Sequence, residues 1–256
     1  MAKLEIELIP ALSDNYLFLA YDRDEGVCAI VDPADADPVE ARLKERGLTL
    51  THILNTHHHM DHVGANLTLK DRHGLTIVGP TADKDRIPGI DITLGDGETY
   101  KLGSHEAVVF DVPGHTKGHI AYWFEKDKAA FVGDTLFALG CGRLFEGTPK
   151  QMWHSLSKLA ALPGDTKVYC AHEYTQSNAD FALTVDPDNA ALQARAKDIA
   201  DARAKGVPTV PTTIALELET NPFMRPDSAT LRNTLGMQAA DNVEVFAEVR
   251  GRKDNF

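Results

Sequence analysis

Residues 56–62 read Thr-His-His-His-Met-Asp-His and contain four candidate metal ligands: His57, His59, Asp61 and His62. Neutral imidazole and carboxylate together suit zinc, manganese or iron better than calcium or magnesium. In an extended segment alternate side chains share a face, so His57 and His59 are predicted to bind one ion while His58 points away. Asp61 and His62 follow a change of direction and are predicted to serve a second ion.

This segment follows a predicted strand, and three later predicted strands end in the same way. Residues 51–55 resemble a short strand, and a helix is predicted from Gly64 onward. Each of the later apolar runs is followed by one ligand: 107–112 by His115, 129–132 by Asp134 and 167–170 by His172. Strand ends at one edge of a sheet converge in space, as ligand sites in α/β architectures commonly do. Seven ligands from four loops are enough for two metals.

The number and type of ligands suggest how two ions would share them. One ion would take three histidines and a carboxylate, while the other would take two histidines, a second carboxylate and the same shared carboxylate. Only a carboxylate has two oxygens with which to bridge. Ions held about 3.5–4 Å apart would also bind a bridging water and lower its pKa toward ~7, which supplies hydroxide at neutral pH. Such a hydroxide is the nucleophile of a hydrolase.

The order of these motifs resembles that of the metallo-β-lactamase superfamily. It runs His-x-His-x-Asp-His, then Pro-Gly-His-Thr-x-Gly-His from residue 113, Gly-Asp-Thr from residue 133, and finally His172. Within that superfamily the chain resembles the glyoxalase II (hydroxyacylglutathione hydrolase) family over nearly its whole length. The closer resemblance is carried by residues 133–137, 141–143, 146–147, 171–175, Asn178, 221–225 and 250–256.

The resemblance implies the fold and the ligand assignment. It implies an α+β fold in which an αββα sandwich, residues 1–173, forms the metal-binding catalytic domain and residues 174–256 form a helical substrate-binding domain. For the first metal it implies His57, His59, His115 and Asp134. For the second metal it implies Asp61, His62, His172 and the same Asp134. This assignment agrees with the count made from the residues alone.

The resemblance also implies a glutathione-binding set. Its members in this chain are Arg143, Phe145, Tyr174, Arg250 and Lys253. Two of them depart from the commonest family pattern, which often has Lys where Arg143 stands and Tyr where Phe145 stands. Phe145 therefore lacks the hydroxyl with which a tyrosine would form a hydrogen bond. Arg143 carries its positive charge on a planar guanidinium, whereas the ammonium group of a lysine is a compact point charge. Without the resemblance, each of these residues also fits an ordinary surface or core role.

The reaction implied is hydrolysis of S-(2-hydroxyacyl)glutathione, such as S-D-lactoylglutathione, to glutathione and a 2-hydroxy acid such as D-lactate, the second step of methylglyoxal detoxification. We expect two divalent ions per chain, with zinc expected and iron or manganese compatible with the same ligands. Asp61 and Asp134 are the candidate catalytic residues, acting through a metal-bridging hydroxide. A thiol with a pKa near ~8.5 leaves readily as thiolate, so neither a protein nucleophile nor a dedicated general acid is required.

Three other functions fit parts of the same pattern. A mononuclear iron persulfide dioxygenase shares much of the motif order and predicts one iron and oxygen consumption. A β-lactamase shares the metal hydrolysis and predicts ring opening, while a metal-binding protein without turnover predicts metal and no reaction. The helical C-terminal segment with Arg250 and Lys253 favours a glutathione thioester over a lactam.

The composition is that of an ordinary soluble enzyme. The chain has 256 residues, 43% hydrophobic and 25% charged, and we expect no membrane association and a monomer. A net charge of −12 argues against a nucleic-acid partner and against the RNA-processing nucleases of the same superfamily. The start of the chain lacks the features of a secretory or transit peptide, and Cys28, Cys141 and Cys170 build no disulfide framework. A cytoplasmic location is therefore expected.

Several local signals predict where helices begin and end. Gly47 is predicted to close a helix opened by Asp37-Pro38, and another helix is predicted to begin at Thr148-Pro149. Residues 189–205 are Ala-rich and predicted helical, and Asp241 with Glu244 is predicted to cap a final helix. The remaining histidines are interpreted as surface, strand or supporting residues: His52, His58, His73, His105, His119 and His154. Cys141 is predicted to be buried rather than a ligand.

Overall fold

The structure is a computed structural model that describes residues 3–256. The chain forms two compact units. The first comprises the described residues up to Asp111 together with Lys117–Gly133, and the second comprises Val112–Thr116 and Asp134–Phe256. The boundary expected between residues 173 and 174 lies inside the second unit and stays a prediction.

The first unit contains two sheets and three α-helices among its described residues. The first sheet is formed by β1 Glu5–Ala11, β2 Asn15–Asp22, β3 Val27–Val31, β4 His52–Leu54, β5 Thr76–Pro80 and β6 Ile92–Leu94. The strands of the second sheet in this unit are β7 Thr99–Leu102, β8 His105–Asp111, β9 Ile120–Phe124 and β10 Ala129–Gly133. The helices are α1 Ala36–Arg46, α2 Met60–Val63 and α3 Asn66–His73.

Strand direction decides where the loops of the first unit lie. The first sheet has the order β1-β2-β3-β4-β5-β6, with β1, β2 and β3 antiparallel and β3 to β6 parallel. Because the carboxyl ends of parallel strands meet at one edge, the residues that follow β3, β4 and β5 are brought together. Asp32 follows β3, the ligand segment 56–62 follows β4, and Asp83 follows β5.

The core of the first unit lies on both faces of the first sheet. Strand β2 is buried along its whole length, because its alternate side chains face opposite layers. Leu17 and Leu19 pack with Val39 and Leu43 of α1 in one apolar cluster. On the other face the Phe18 ring lies 5.9 Å from the Phe131 ring of β10, which joins the two sheets of the unit. A helix layer, a sheet and a second sheet therefore stack in this order.

The predicted helix closed by Gly47 is present as α1. Gly47 adopts the left-handed conformation with φ 61°, and its amide donates to the Leu43 and Lys44 carbonyls. The helix begins at Ala36, two residues earlier than the Asp37-Pro38 pair suggested. The side chain of Asp35, the N-cap, accepts a hydrogen bond from the Asp37 amide.

The second unit is mainly helical, with two small strand pairs among its residues. Its strands are β11 Leu136–Phe137, β12 Gly140–Cys141, β13 Lys167–Cys170 and β14 Thr212–Thr213, paired β11 with β12 and β13 with β14. Its helices are α4 Pro149–Ala160, α5 Thr175–Val185, α6 Ala190–Arg203, α7 Ile214–Thr220, α8 Ala229–Leu235 and α9 Asn242–Asp254. Within residues 3–256, no helix combines the length and the apolar character that crossing a bilayer requires.

Both helix starts predicted from capping signals are present in the second unit. Thr148 and Gln151 form a reciprocal capping box at the start of α4, with Pro149 in the first turn. Asp241 and Glu244 form another at the start of α9. Reading the capping residue together with the residue three places later is therefore sufficient to locate these two helices.

Candidate metal centre

The ligand segment of the first unit turns sharply between β4 and α2. His57 and His62 are completely buried, whereas the Asp61 side chain keeps 39% of its surface exposed. Helix α2 starts at Met60, which is earlier than the predicted start at Gly64. The helix start supplies the change of direction that separates His57 and His59 from Asp61 and His62.

The imidazoles of this segment approach one another through their ring nitrogens. His57 Nε2 lies 3.1 Å from His59 Nδ1, and the His57 and His62 ring centroids are 4.0 Å apart. His62 Nε2 lies 3.5 Å from Asp61 Oδ2. Asn15 supports Asp61 by donating from Nδ2 to its Oδ2 and to its main-chain carbonyl, each over 3.2 Å.

Asp32, at the end of β3, orients two of these histidines. Its carboxylate accepts hydrogen bonds from the Thr56 amide and the Thr56 hydroxyl, both 2.7 Å long. The Thr56 hydroxyl lies 3.0 Å from His57 Nδ1, and Asp32 Oδ2 lies 3.1 Å from His62 Nδ1. The Thr56 hydroxyl therefore holds Nδ1 of His57, which leaves Nε2 of that ring as the donor atom for a metal. Asp32 and His62 are in close ion-pair contact.

His58, within the segment, and His119, beside it, contact other residues rather than adding to the candidate ligands. His58 Nδ1 lies 2.8 Å from Asp83 Oδ2, so its ring is turned toward the end of β5. His119 stacks on His57 with centroids 4.6 Å apart, and its Nδ1 lies 3.0 Å from the Ile120 carbonyl. His119 lies outside any helix, as its glycine neighbours predicted.

The second unit brings together His115, Asp134 and His172, one candidate ligand from each of the three later strand ends. Asp134 Oδ2 lies 3.3 Å from His115 Nε2 and 3.5 Å from His172 Nε2. His115 Nδ1 donates to the Arg143 carbonyl over 2.8 Å, which leaves Nε2 directed at Asp134. One carboxylate between two imidazoles is the arrangement expected of a carboxylate that serves two ions.

These separations fit the coordination of a metal. Two donor atoms bound to one tetrahedral zinc at about 2.0–2.2 Å lie about 3.3–3.6 Å apart. In the second unit the His115–Asp134 and His172–Asp134 donor pairs are 3.3 and 3.5 Å apart, within this range. In the first unit the His62–Asp61 pair, at 3.5 Å, also lies within it, whereas the His57 and His59 nitrogens are slightly closer at 3.1 Å.

Three of the candidate substrate residues flank the ligands of the second unit. The Phe145 ring is 63% exposed and its centroid lies 5.2 Å from that of His115. Tyr174 is 39% exposed and stacks on His172 with centroids 4.8 Å apart and planes 2° from parallel. Arg143 has an exposed side chain, while its carbonyl holds His115.

The other two candidate substrate residues lie on α9. Arg250 is only 5% exposed, and its guanidinium donates to the Cys141 carbonyl over 2.9 Å and to Asp254 over 3.1 Å. Lys253 donates from Nζ to the carbonyl and the hydroxyl of Ser177, over 3.0 and 2.9 Å. Burial, followed by the nearby cations Arg250 and Arg143, lowers the pKa of Lys253. Glutathione binding by both residues stays a prediction.

Cys141 is buried, as predicted. Burial raises the pKa of its thiol to about 11, although the neighbouring Arg250 acts in the opposite direction. The guanidinium of Arg250 lies 3.8 Å from its Sγ atom. A neutral, buried thiol is a poor metal ligand, because the thiolate is the form that binds.

Comparison with known proteins identifies the family. Residues 13–172 match the family model of the metallo-β-lactamase superfamily, and residues 173–256 match the model described as hydroxyacylglutathione hydrolase C-terminus. The hydroxyacylglutathione hydrolase of Methylococcus capsulatus is 57% identical over 253 residues, 99% of each chain. That of Maricaulis maris is 55% identical over 256 residues, the whole of both chains. The chain belongs to the hydroxyacylglutathione hydrolase family.

Solved structures confirm the fold of this family member. ETHE1 from Myxococcus xanthus is similar with a TM-score of 0.67 and 24% identity, over 98% of each chain. The B3 metallo-β-lactamase BLEG-1 is similar with a TM-score of 0.66 and 24% identity, over 86% of this chain and all of the other. The predicted α+β fold of the metallo-β-lactamase type, with a helical C-terminal region, is confirmed.

The sequence did not reveal all residues that shape the centre. Asp32 was missed, although it directly follows a buried strand just as Asp134 follows β10. Its position at the end of a strand was the signal that could have identified it. Asn15 carries no comparable signal, because its contact with Asp61 joins residues 46 positions apart.

Proposed function

We propose that this family member is a glyoxalase II that hydrolyses S-(2-hydroxyacyl)glutathione, with S-D-lactoylglutathione as its substrate in methylglyoxal detoxification. The observation that carries the proposal is the full-length match, at 57% and 55% identity, with hydroxyacylglutathione hydrolases. The metal-ligand geometry agrees with it, because a carboxylate between two imidazoles fits a hydrolytic centre with two ions.

The same proposal covers the ions and their ligands. The first ion would be bound by His57, His59, His115 and Asp134, and the second by Asp61, His62, His172 and Asp134. Zinc is the expected ion, and iron or manganese suit the same donors. When bound, the ions would polarise the thioester carbonyl and lower the pKa of bound water toward ~7.

The residues of the chain would bind and orient the substrate. Arg143, Arg250 and Lys253 bring positive charge to the second unit, which suits the carboxylates of glutathione, and Phe145 and Tyr174 add exposed aromatic surface. The leaving group is a thiol with an ordinary pKa near ~8.5, so it departs as thiolate without a protein acid. The donor set therefore needs no nucleophilic serine or cysteine.

The experiment that tests this function combines three substrates. Metal-loaded protein is mixed with S-D-lactoylglutathione, with glutathione persulfide under oxygen measurement, and with a β-lactam, and a chelator-treated sample runs beside each. Chelator-sensitive release of thiol and D-lactate from the thioester is the expected result. Oxygen uptake with the persulfide, or ring opening of the lactam, without thioester hydrolysis would overturn the proposal.

Location and assembly belong to the same proposal. We propose a cytoplasmic enzyme that acts as a monomer on a small glutathione thioester, without nucleic-acid or membrane partners. The three cysteines are all buried free thiols, which supports a reducing compartment. Light scattering of the purified protein would test the monomer, for which the mass of one chain, 28.0 kDa, is expected. A species of twice that mass would contradict it.

A further inference from the structure

The hairpin formed by β11 and β12 is held mainly by side chains from the C-terminal helices. It lies seven residues or fewer after Asp134, and Leu139 within it has a left-handed φ of 58°. Four of its carbonyls accept hydrogen bonds from buried side chains: those of Phe137 and Gly140 from Asn221, that of Ala138 from Asn178 and that of Cys141 from Arg250. In addition, the Leu139 amide donates to the buried carboxylate of Glu217. The bond lengths range from 2.9 to 3.2 Å.

Glu217 is the centre of this arrangement. It is completely buried, and both of its carboxylate oxygens accept two hydrogen bonds. Oε1 accepts from Arg195 and Thr212, both over 2.6 Å, and Oε2 accepts from the Leu139 amide and from Asn221, both over 2.9 Å. The carboxylate thereby joins α6, β14 and α7 to the tip of the hairpin.

Each end of the hairpin is connected to one proposed metal ligand. At its N-terminal end a single residue, Thr135, separates it from Asp134, and its C-terminal end leads through Gly142 to Arg143, whose carbonyl bonds to His115. The Gly142 amide donates to the Thr135 carbonyl over 3.3 Å, and a β-carbon at Gly142 would collide with the Asp134 carbonyl. The Arg143 carbonyl orients His115. A displaced hairpin would therefore move Asp134 and release the His115 ring.

We propose that Glu217 and Asn221 are positioning residues for the metal ligands Asp134 and His115. The inference rests on the proposed metal-binding role of those two ligands. The left-handed conformation of Leu139 costs free energy. The hairpin carbonyls that have no partner in a strand also cost free energy unless a side chain donates a hydrogen bond to them, because buried main-chain groups need hydrogen bonds. Glu217 and Asn221 supply these bonds, and so fix the distance between Asp134 and the carbonyl that holds His115.

The substitution Glu217→Gln tests this role with little change of volume. Donors converge on both oxygens of Glu217, so either orientation of a glutamine amide would place its NH₂ group against two donors. One side of the arrangement is then lost, either the contacts to Arg195 and Thr212 or those to Leu139 and Asn221. A second variant, Asn221→Ser, removes the donor to the Phe137 and Gly140 carbonyls.

Asp186→Asn is the matched control. Asp186 is also completely buried in the second unit, and it accepts hydrogen bonds from Arg225 over 2.7 Å, Asn189 over 3.0 Å and Thr230 over 2.7 Å. The change again replaces a buried carboxylate with an amide, but the partners belong to α8, to the start of α6 and to the segment before α8. Loss of general stability is therefore expected in both proteins.

Metal-free protein is titrated with Co²⁺, and the d–d absorption of the bound ion gives the affinity. Thermal unfolding of each variant is measured alongside. Glu217→Gln and Asn221→Ser are expected to weaken Co²⁺ binding by about tenfold or more, as loss of support behind a ligand does, and to change the spectrum. Asp186→Asn should bind Co²⁺ like the wild type. If Glu217→Gln fails to fold, Asn221→Ser decides the question alone.

Unchanged Co²⁺ affinity in the folded variants, or an equal loss in Asp186→Asn, would overturn the proposal. The titration uses no thioester, so it is independent of the proposed reaction. A wild-type protein that binds Co²⁺ but leaves S-D-lactoylglutathione intact would refute the function and leave the role of Glu217 untouched.

Discussion

At the scale of single residues, the centre depends on oxygen atoms that hold the far side of each imidazole. Asp32 holds His57 through Thr56 and lies 3.1 Å from His62 Nδ1, while the Arg143 carbonyl holds His115. The hydrogen bonds to His57 and His115 select the tautomer whose other nitrogen can bind metal. A motif of spaced histidines identifies the ligands but does not identify these partners.

Asp134→Ala should remove most of the activity and lower the metal content. Asp134 lies within coordination spacing of two histidines, so its loss should cost more than the 10- to 100-fold typical of a supporting residue. We expect kcat/KM to fall by more than about hundredfold, with metal measured by elemental analysis. Asp188→Ala, at an exposed position, is the control. Wild-type turnover in Asp134→Ala would contradict the metal assignment.

Phe145→Tyr should strengthen substrate binding. The exposed Phe145 ring beside His115 stands where the family often has tyrosine, and the added hydroxyl would offer one hydrogen bond to the substrate. A net hydrogen bond of about 0.5–1.5 kcal/mol corresponds to roughly a 2- to 10-fold lower KM, with kcat unchanged. The control is Phe110→Tyr, which adds the same hydroxyl on β8. A KM that stays the same in Phe145→Tyr would remove Phe145 from the substrate site.

At the scale of elements, local signals were sufficient wherever the cause of a boundary was itself local. Gly47 closes α1 by its left-handed conformation, and Thr148 and Asp241 open α4 and α9 by capping boxes. Contacts between residues far apart in the sequence could not be predicted from such local signals. The β11–β12 hairpin is held by α5, α7 and α9, and the closest of these begins more than 30 residues later. No periodicity within residues 136–141 predicts that.

Asp241→Ala should destabilise the protein by about 1 kcal/mol. The Asp241 side chain accepts a hydrogen bond from the Glu244 amide over 2.9 Å, and the Glu244 side chain accepts one from the Asp241 amide over 2.9 Å. Denaturant unfolding would measure the change. The control, Asp201→Ala, removes an exposed aspartate near the C-terminal end of α6, where a negative charge is unfavourable, so no loss is expected. Equal losses in both variants would contradict the capping role.

At the scale of the whole molecule, the sequence predicted the fold class through the order of its motifs, and the parallel strands explain why that order works. In the first sheet β3, β4 and β5 are parallel, so the ligand segment that follows β4 lies beside Asp32 and Asp83. In the second sheet β8 and β10, which precede His115 and Asp134, both pair antiparallel with β9 and therefore run in the same direction. The internal ion pairs of the fold were not predictable. His105 was interpreted as a surface, strand or supporting residue; it begins strand β8 and lies buried between Asp22 and Asp127, two partners that the sequence did not reveal.

The His105 contacts should make global stability depend on pH. Burial lowers the pKa of His105, but the hydrogen bonds that its ring donates to Asp22 and Asp127 outweigh this effect and leave the pKa raised above its ordinary 6.5. A raised folded-state pKa gives stabilisation that is complete below the unfolded-state value and is lost as the pH rises through the folded-state value. The pKa of Asp22 is lowered by its bond from His105, so its contribution is lost only in acid.

Urea unfolding of wild type and His105→Gln from about pH 6 to 9 tests this dependence. Both proteins carry the same ligand histidines, so their difference isolates His105. We expect the free-energy difference to be largest at the acid end and to shrink as the pH rises. A difference that stays constant across the range would show that His105 is not charged in the folded protein.

We expect this chain to hydrolyse a glutathione thioester only when it holds metal. The most direct measurement is the loss of thioester absorbance with S-D-lactoylglutathione while metal-free protein is titrated with Zn²⁺. We expect no turnover without metal, and activity that rises to a plateau at two ions per chain. Full turnover by metal-free protein, or none by protein shown to hold two ions, would contradict it.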